Sequence, residues 1–195
     1  MQRIGLILLA AGASSRLGQP KQLLHYQGRT LLRRAAETAA ASGCAPLVLV
    51  TGALHDELLP EVAGLPFFSV QNHDWREGMS TSIRAGLDVL EMQTEGAPLD
   101  AALVMVCDQP LLTPEVLQSI IQQFRDTGQP VVATEYAGTR GVPALFGAAV
   151  FPALRALSGP AGARELLRQH AHLPAVPFPG GEVDVDTAAQ YAALP

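Results

Sequence analysis

The sequence predicts an α/β fold, a mostly parallel sheet covered by helices on both faces. Two observations carry that expectation. Apolar runs without polar alternation occupy residues 4–10, 46–51, 66–70, 101–107 and 130–134, the pattern of strands buried on both faces. Between them, residues 30–42, 54–62, 80–92 and 114–126 carry apolar side chains at three- and four-residue spacing. Each is long enough to return the chain from one parallel strand to the next. A chain of 195 residues, 48% hydrophobic and 16% charged, has the bulk for one three-layer α/β/α domain spanning residues 1–195.

Each element has local reasons. The first strand, IGLILLA, stops at the small residues Ala11-Gly12-Ala13-Ser14. Gly43 and Gly128 follow helical patterns as expected C-caps. Ser80 is the expected N-cap of the third helix, although Ile83 stands where a capping box would need Glu or Gln. Thr113-Pro114 is an N-cap followed by proline at the first helical position. Beyond Gly138 the pattern loosens, and 138–154 reads as a loop, a short strand and a helix. Residues 162–169 read as a further helix. The Pro/Gly-rich tail 177–186 reads as a loop ending in a strand, which puts Asp184 and Asp186 on one face.

Charge and cysteine usage exclude several classes. A net charge of −5 gives no broad basic field for nucleic acid or an anionic membrane. The aromatic residues, Trp75 included, form no stacking platform for bases. Cys44 and Cys107 each border a buried run and are expected to be reduced thiols. The five histidines have no metal-binding spacing; His170 and His172 sit beside a helix end. The opening Arg3 and apolar run could imitate a secretory signal, but cleavage after Ala13 falls short of the usual ~15–30 residues. No apolar run reaches the ~20 residues of a membrane span. The expected compartment is cytoplasmic.

The segment after the first strand carries the chemistry. In an open parallel sheet, ligands bind beyond the carboxyl ends of strands where strand order reverses. There, Gly12 allows close approach of backbone to a ligand, and successive N–H groups can cradle an anion. Arg16 and Lys21 add full charges suited to a polyphosphate. The loop is not a Walker A, because Gln19 follows Gly18, and no Gly-x-Gly-x-x-Gly follows the strand.

The stretch LAAGASSRLGQPK resembles the Leu-x-Ala-Gly-x-Ser-x-Arg-x-Gly-x-x-Lys signature of nucleotidyltransferases, with the molybdenum cofactor cytidylyltransferase family the nearest match. EGMSTSIRAGL (77–87), VCDQPLL (106–112), GVPALF (141–146), GARELL (162–167) and DVDT (184–187) follow in the expected order. The resemblance covers nearly the whole chain and implies a Rossmann-like sheet of the nucleotidyltransferase type. It implies that Ala10, Ala11 and Gly12 contact base and ribose with Gly78, Ser80 and Ser82, while Arg16 and Lys21 hold the triphosphate. Asp108, just past a strand, is implied as a ligand for Mg2+ (or Mn2+), a hard cation suited to carboxylates and phosphates. Asp186 is a candidate second ligand, and it reads equally well as the N-cap of a following helix.

Two departures stand out. Val142 occupies a position where many relatives have His, and Pro160 replaces an expected acid before Gly162-Ala163-Arg164. Arg164 is a candidate contact to an anionic acceptor, and it reads equally well as a surface residue of a helix.

The implied reaction is transfer of CMP from CTP to molybdopterin or the molybdenum cofactor, with catalytic roles for Arg16, Lys21 and Asp108. Ala11, in place of a second glycine, favours CTP over GTP. A molybdenum hydroxylase is the implied recipient of the product. A guanylyl or sugar-phosphate nucleotidyltransferase, and a noncatalytic cofactor chaperone, are the alternatives.

Overall fold

The computed structural model describes residues 2–14, 17–94, 96–159, 162–169 and 174–195. The first strand, β1 (Ile4–Ala10), leads through a short hairpin of β2 (His25–Tyr26) and β3 (Arg29–Thr30) into α1 (Leu31–Ala40). There follow β4 (Leu47–Thr51), α2 (His55–Leu58), β5 (Phe67–Gln71), α3 (Met79–Met92), β6 (Ala101–Val106) and α4 (Pro114–Thr127). The remainder comprises β7 (Val131–Tyr136), β8 (Thr139–Gly147), α5 (Phe151–Ala156), α6 (Arg164–Gln169), β9 (Ala175–Pro177) and α7 (Ala188–Ala192).

Seven strands form one sheet in the order β5-β4-β1-β6-β8-β7-β9. Every neighbouring pair is parallel except those made by β8, which runs antiparallel to β6 and to β7. The order reverses at β1, whose neighbours are β4 on one side and β6 on the other.

Alternation of side chains along β1 builds both cores. Ile4, Leu6, Leu8 and Ala10 pack with α1, α2 and α4, whereas Ile7 and Leu9 pack with α3, α5 and α6. The outcome is a three-layer α/β/α arrangement, as the unbroken apolar runs require. Helix α3 lies close on β1 because glycines stand at the crossing. A Cβ at Gly86 would sit 2.6 Å from Ile7, and one at Gly5 2.8 Å from Leu90. A third cluster of Leu24, Tyr26, Leu31 and Val185 ties the hairpin to the tail, with Tyr191 packed against it. Tyr191 Oη donates to His25 O at 2.6 Å, which anchors α7 over the hairpin.

Four local expectations are corrected. The stretch read as a loop with a short strand is the nine-residue β8. Its register against β7 steps from Ala133↔Ala144 to Thr134↔Gly141, so Val142 and Pro143 form a bulge. No strand forms at 183–186, where Val185 N donates to Asp108 O at 3.2 Å. Gly78, at φ +120°, is the N-cap of α3 in place of Ser80, which lies inside the first turn. Ala41 is the C-cap of α1, two residues before Gly43, whereas Gly128 caps α4 in the left-handed conformation as expected. Cys44 and Cys107 are free and buried. Among the described residues, no helix is long and apolar enough to cross a membrane.

Candidate active site

The loop leaving β1 is held from beneath by Gln22. Its buried amide Nε2 donates to Ala10 O at 2.9 Å and to Gly12 O at 2.8 Å. Ser14, at φ +52°, turns the chain back, and its Oγ accepts from Lys21 N at 3.0 Å. The loop is thereby fixed to the single helical turn Lys21–Leu23, which sets the lysine side chain at the mouth of the sheet. The space in front of Gly12 is open, since a Cβ there would meet nothing within 4 Å. On the other flank Gly52 closes the wall, because a Cβ there would lie 2.6 Å from Ala11 O. Arg16 lies outside the described residues.

Lys21 is the sole lysine of the chain. Its Nζ donates to Asp108 Oδ2 at 2.5 Å and to Asp186 Oδ1 at 2.7 Å. Burial alone would lower the lysine pKa, but the charges and hydrogen bonds of Asp108 and Asp186 outweigh it and hold the value well above the usual range. The ammonium is therefore a fixed charge at neutral pH. Asp184 shows the opposite face of this crowding: burial, and then the charges of Asp108 and Asp186, push its carboxyl up. Cys107 is pushed up to about 12, chiefly by burial and next by Asp108, so it stays a thiol and is no nucleophile.

The Asp184–Asp186 segment is shaped by Gln190. Its Oε1 accepts from Asp186 N at 3.1 Å, and its Nε2 donates to Asp184 Oδ1 at 2.9 Å. The N-cap of α7 is Thr187, whose hydroxyl accepts from Gln190 N, so the capping alternative for Asp186 does not hold. Asp186 instead turns toward Lys21. Gln190→Ala is expected to weaken Mn2+ binding several-fold while the melting temperature barely moves, because the lost bonds lie on the surface. Titration of Mn2+ into both proteins, beside thermal melts, checks this; unchanged Mn2+ affinity would remove Gln190 from a positioning role.

Two cavities meet at the Lys21–Asp108 pair. The smaller, about 220 Å³, is walled by Ala10, Ala11, Gly12, Lys21, Ser82 and Asp108, with Gln22, Trp75 and Met79. The larger, about 490 Å³, shares Lys21, Met79, Val106 and Asp108 and extends to Gln109, Tyr136, Val142, Arg164, Asp184 and Asp186. The structure thus gathers most of the residues singled out from sequence around one mouth. Gly78 and Ser80 are not on these walls: Gly78 caps α3 and Ser80 is buried. Ser82 reaches the wall with its Oγ accepting from Asn72 Nδ2 at 2.9 Å. Pro160, His170 and His172 lie outside the described residues.

Three contributors escaped the sequence reading. Gln22 supports the loop, Trp75 closes the smaller cavity under the Arg76 guanidinium (4.6 Å from the ring centre), and Gln109 braces the larger one. Gln109 Nε2 donates to Val142 O at 3.1 Å and to Gly181 O at 2.9 Å. Only the adjacency of Gln22 to Lys21 and of Gln109 to Asp108 pointed to them.

The donor set suits a hard divalent cation. Asp108 and Asp186 converge on one cationic atom, with Asp184 held near both, and all the donors are carboxylate oxygens. Among the described residues no group of three or more His, Cys, Asp or Glu is spaced to hold a metal alone. Two protein carboxylates completed by substrate phosphates is the arrangement Mg2+ commonly takes.

The profile of the MobA-like NTP transferase domain matches residues 6–173. Nicotine blue oxidoreductase of Paenarthrobacter nicotinovorans is 36% identical over 170 residues, 84% of this chain and 80% of that protein. Molybdenum cofactor cytidylyltransferase of Escherichia coli (strain K12) is 32% identical over 121 residues, 62% of this chain and 59% of that protein. Two crystal structures of Rv0371c from Mycobacterium tuberculosis H37Rv superpose with TM-scores of 0.79 and 0.77, the second a complex with manganese. They are 28% and 27% identical, covering 98% of this chain and 96% and 97% of theirs.

Proposed function

The chain belongs to the MobA-like NTP transferase family, and from that premise we propose that it transfers CMP from CTP to the terminal phosphate of molybdopterin, releasing pyrophosphate. The observation that carries this reading is the Lys21 ammonium between Asp108 and Asp186, on the floor shared by two cavities. One cavity is bounded by the loop after β1 and suits the nucleotide. The other, bounded by Gln109, Val142 and Arg164, suits the acceptor. The likeness to molybdenum cofactor cytidylyltransferase supports the choice of substrates.

In this reading one oxygen of the acceptor phosphate attacks the α-phosphorus of CTP. A new P–O bond forms, the bond to the β-phosphate bridging oxygen breaks, and pyrophosphate departs with the electron pair. The attacking phosphate is already ionised at neutral pH, so the step needs no general base. Catalysis rests on alignment and on neutralising charge. Ala10, Ala11 and Gly12 accommodate base and ribose with Ser82, while Lys21 and Arg16 hold the phosphates. Asp108 and Asp186 would hold Mg2+ or Mn2+, which when bound supplies Lewis-acid polarisation of the phosphates. The protein works in the cytoplasm as a single domain over residues 1–195, and its product passes to a molybdenum hydroxylase.

The test compares CTP, GTP and ATP with purified molybdopterin, with and without Mg2+, by pyrophosphate release. CTP-dependent, metal-dependent release is the expected result. Preference for GTP would move the assignment to a guanylyltransferase, and cofactor delivery without release would favour the chaperone. The 36% identity to nicotine blue oxidoreductase favours a second reading, a redox reaction in the same cavities. Reduction of nicotine blue by a reduced nicotinamide dinucleotide, catalysed by the purified protein in place of pyrophosphate release, would select it.

A further inference from the structure

Beyond the acceptor cavity lies a third, about 510 Å³, whose walls include Arg140, Arg164 and Arg168 against the single carboxylate of Glu135. It shares Tyr136, Thr139 and Arg164 with the acceptor cavity, so the two form one continuous trench. The trench is strongly polarised. At one end stand Asp108, Glu182, Asp184 and Asp186 around a lone lysine, and at the other three guanidinium groups gather in a chain of net charge −5.

The positive end is built from two elements. Arg164 and Arg168 are four residues apart on α6 and therefore share a face. Arg140 comes from β8, across the turn that follows Tyr136. Tyr136 stands at the junction, edge-on to Phe178 with ring centres 5.9 Å apart. Gly141 makes room for its hydroxyl, since a Cβ there would lie 2.0 Å from that oxygen. Arg168 has a distant partner in Glu165, at 3.8 Å and largely in solvent, which leaves its charge little committed. Guanidinium forks recognise carboxylate, phosphate and related oxyanions by paired hydrogen bonds.

We propose that this cavity is a subsite for a second anionic group of the acceptor, distinct from the phosphate that reacts. The inference rests on the transfer reading above and deepens it: the acceptor is a molecule with two negative poles. Its reactive phosphate lies toward Lys21, where cations neutralise it, and its other pole lies among the arginines. In molybdopterin the sulfur-bearing end supplies that second negative centre. The volume fits a group larger than one oxyanion, and the polarity fixes which end enters first. Electrostatic complementarity of this kind sets orientation and selectivity.

Inorganic phosphate is the probe, titrated calorimetrically into protein saturated with CTP and Mn2+, so that the Lys21 end is filled. The wild type is expected to bind phosphate, and the Arg140→Gln/Arg168→Gln double variant at least tenfold more weakly, with CTP affinity unchanged. Equal phosphate affinity in the two proteins would overturn the subsite. The single Arg168→Gln variant, at an exposed helix position, keeps the fold and must by itself weaken phosphate several-fold. Turnover supplies a second arm: with molybdopterin, the double variant raises the acceptor KM about tenfold at unchanged kcat, the signature of lost uniform binding. A raised KM for CTP instead would assign these arginines to the nucleotide and overturn the proposal. Failure of the transfer reading looks different, because the wild type would then release no pyrophosphate with any nucleotide.

Discussion

Asp108→Asn is expected to retain the fold and to turn over CTP on the order of 10³-fold more slowly. The side chain is 17% exposed and serves as an acceptor for Lys21 Nζ; the carbonyl of the same residue receives Val185 N. Asparagine keeps the volume and the backbone bond, so the tail remains docked. It removes one of the carboxylates that crowd Asp184, which relieves like-charge repulsion. Stability should therefore change little while the donor set for a divalent cation loses a member. The loss should fall on kcat, with weaker Mn2+ binding beside it. Pyrophosphate release, Mn2+ titration and a thermal melt measure the three effects separately. Wild-type kcat in this variant would exclude Asp108 from the chemistry.

Lys21→Met is expected to separate metal binding from turnover. The ammonium stands 2.5 and 2.7 Å from two carboxylates, in the position that best neutralises both. A dication drawn to those carboxylates must compete with it. Removing the ammonium leaves two partly buried negative groups uncompensated, which destabilises the metal-free protein. Mn2+ should then bind more tightly than to the wild type in the absence of nucleotide, by about tenfold, and should restore the melting temperature. Turnover of CTP should nonetheless fall by about 10²–10³-fold, since the triphosphate loses a cation that the transition state needs. Spectroscopic titration of Mn2+ and steady-state kinetics give the two numbers. Weaker Mn2+ binding in the variant would show that Lys21 does not occupy the cation's place.

The parallel half of the fold was legible because its signal is local. Five apolar runs matched strands to within two residues, and α4 carried its own start and stop residues in Thr113-Pro114 and Gly128. The antiparallel strand β8 was hidden by its composition: Pro143 removes a donor, and the Val142–Pro143 bulge breaks the alternation. That bulge matters to the site, because it aims the Val142 carbonyl at Gln109. Residues 183–186 misled in the other direction. Their alternation reads as a strand, yet they find a backbone partner at Asp108 without a neighbouring strand to continue the ladder. Lys21 and Asp108 were visible because each follows a strand end. Gln22 and Gln109 were not, since a buried amide declares itself only when the backbone carbonyls it serves are in view.

The pair Lys21–Asp186 joins residues 165 positions apart. A growing polypeptide folds in order of emergence, and contacts of such separation close last. Lys21 is therefore synthesised long before Asp184 and Asp186, and the contact that seats its ammonium between two carboxylates is among the last that chain growth makes possible.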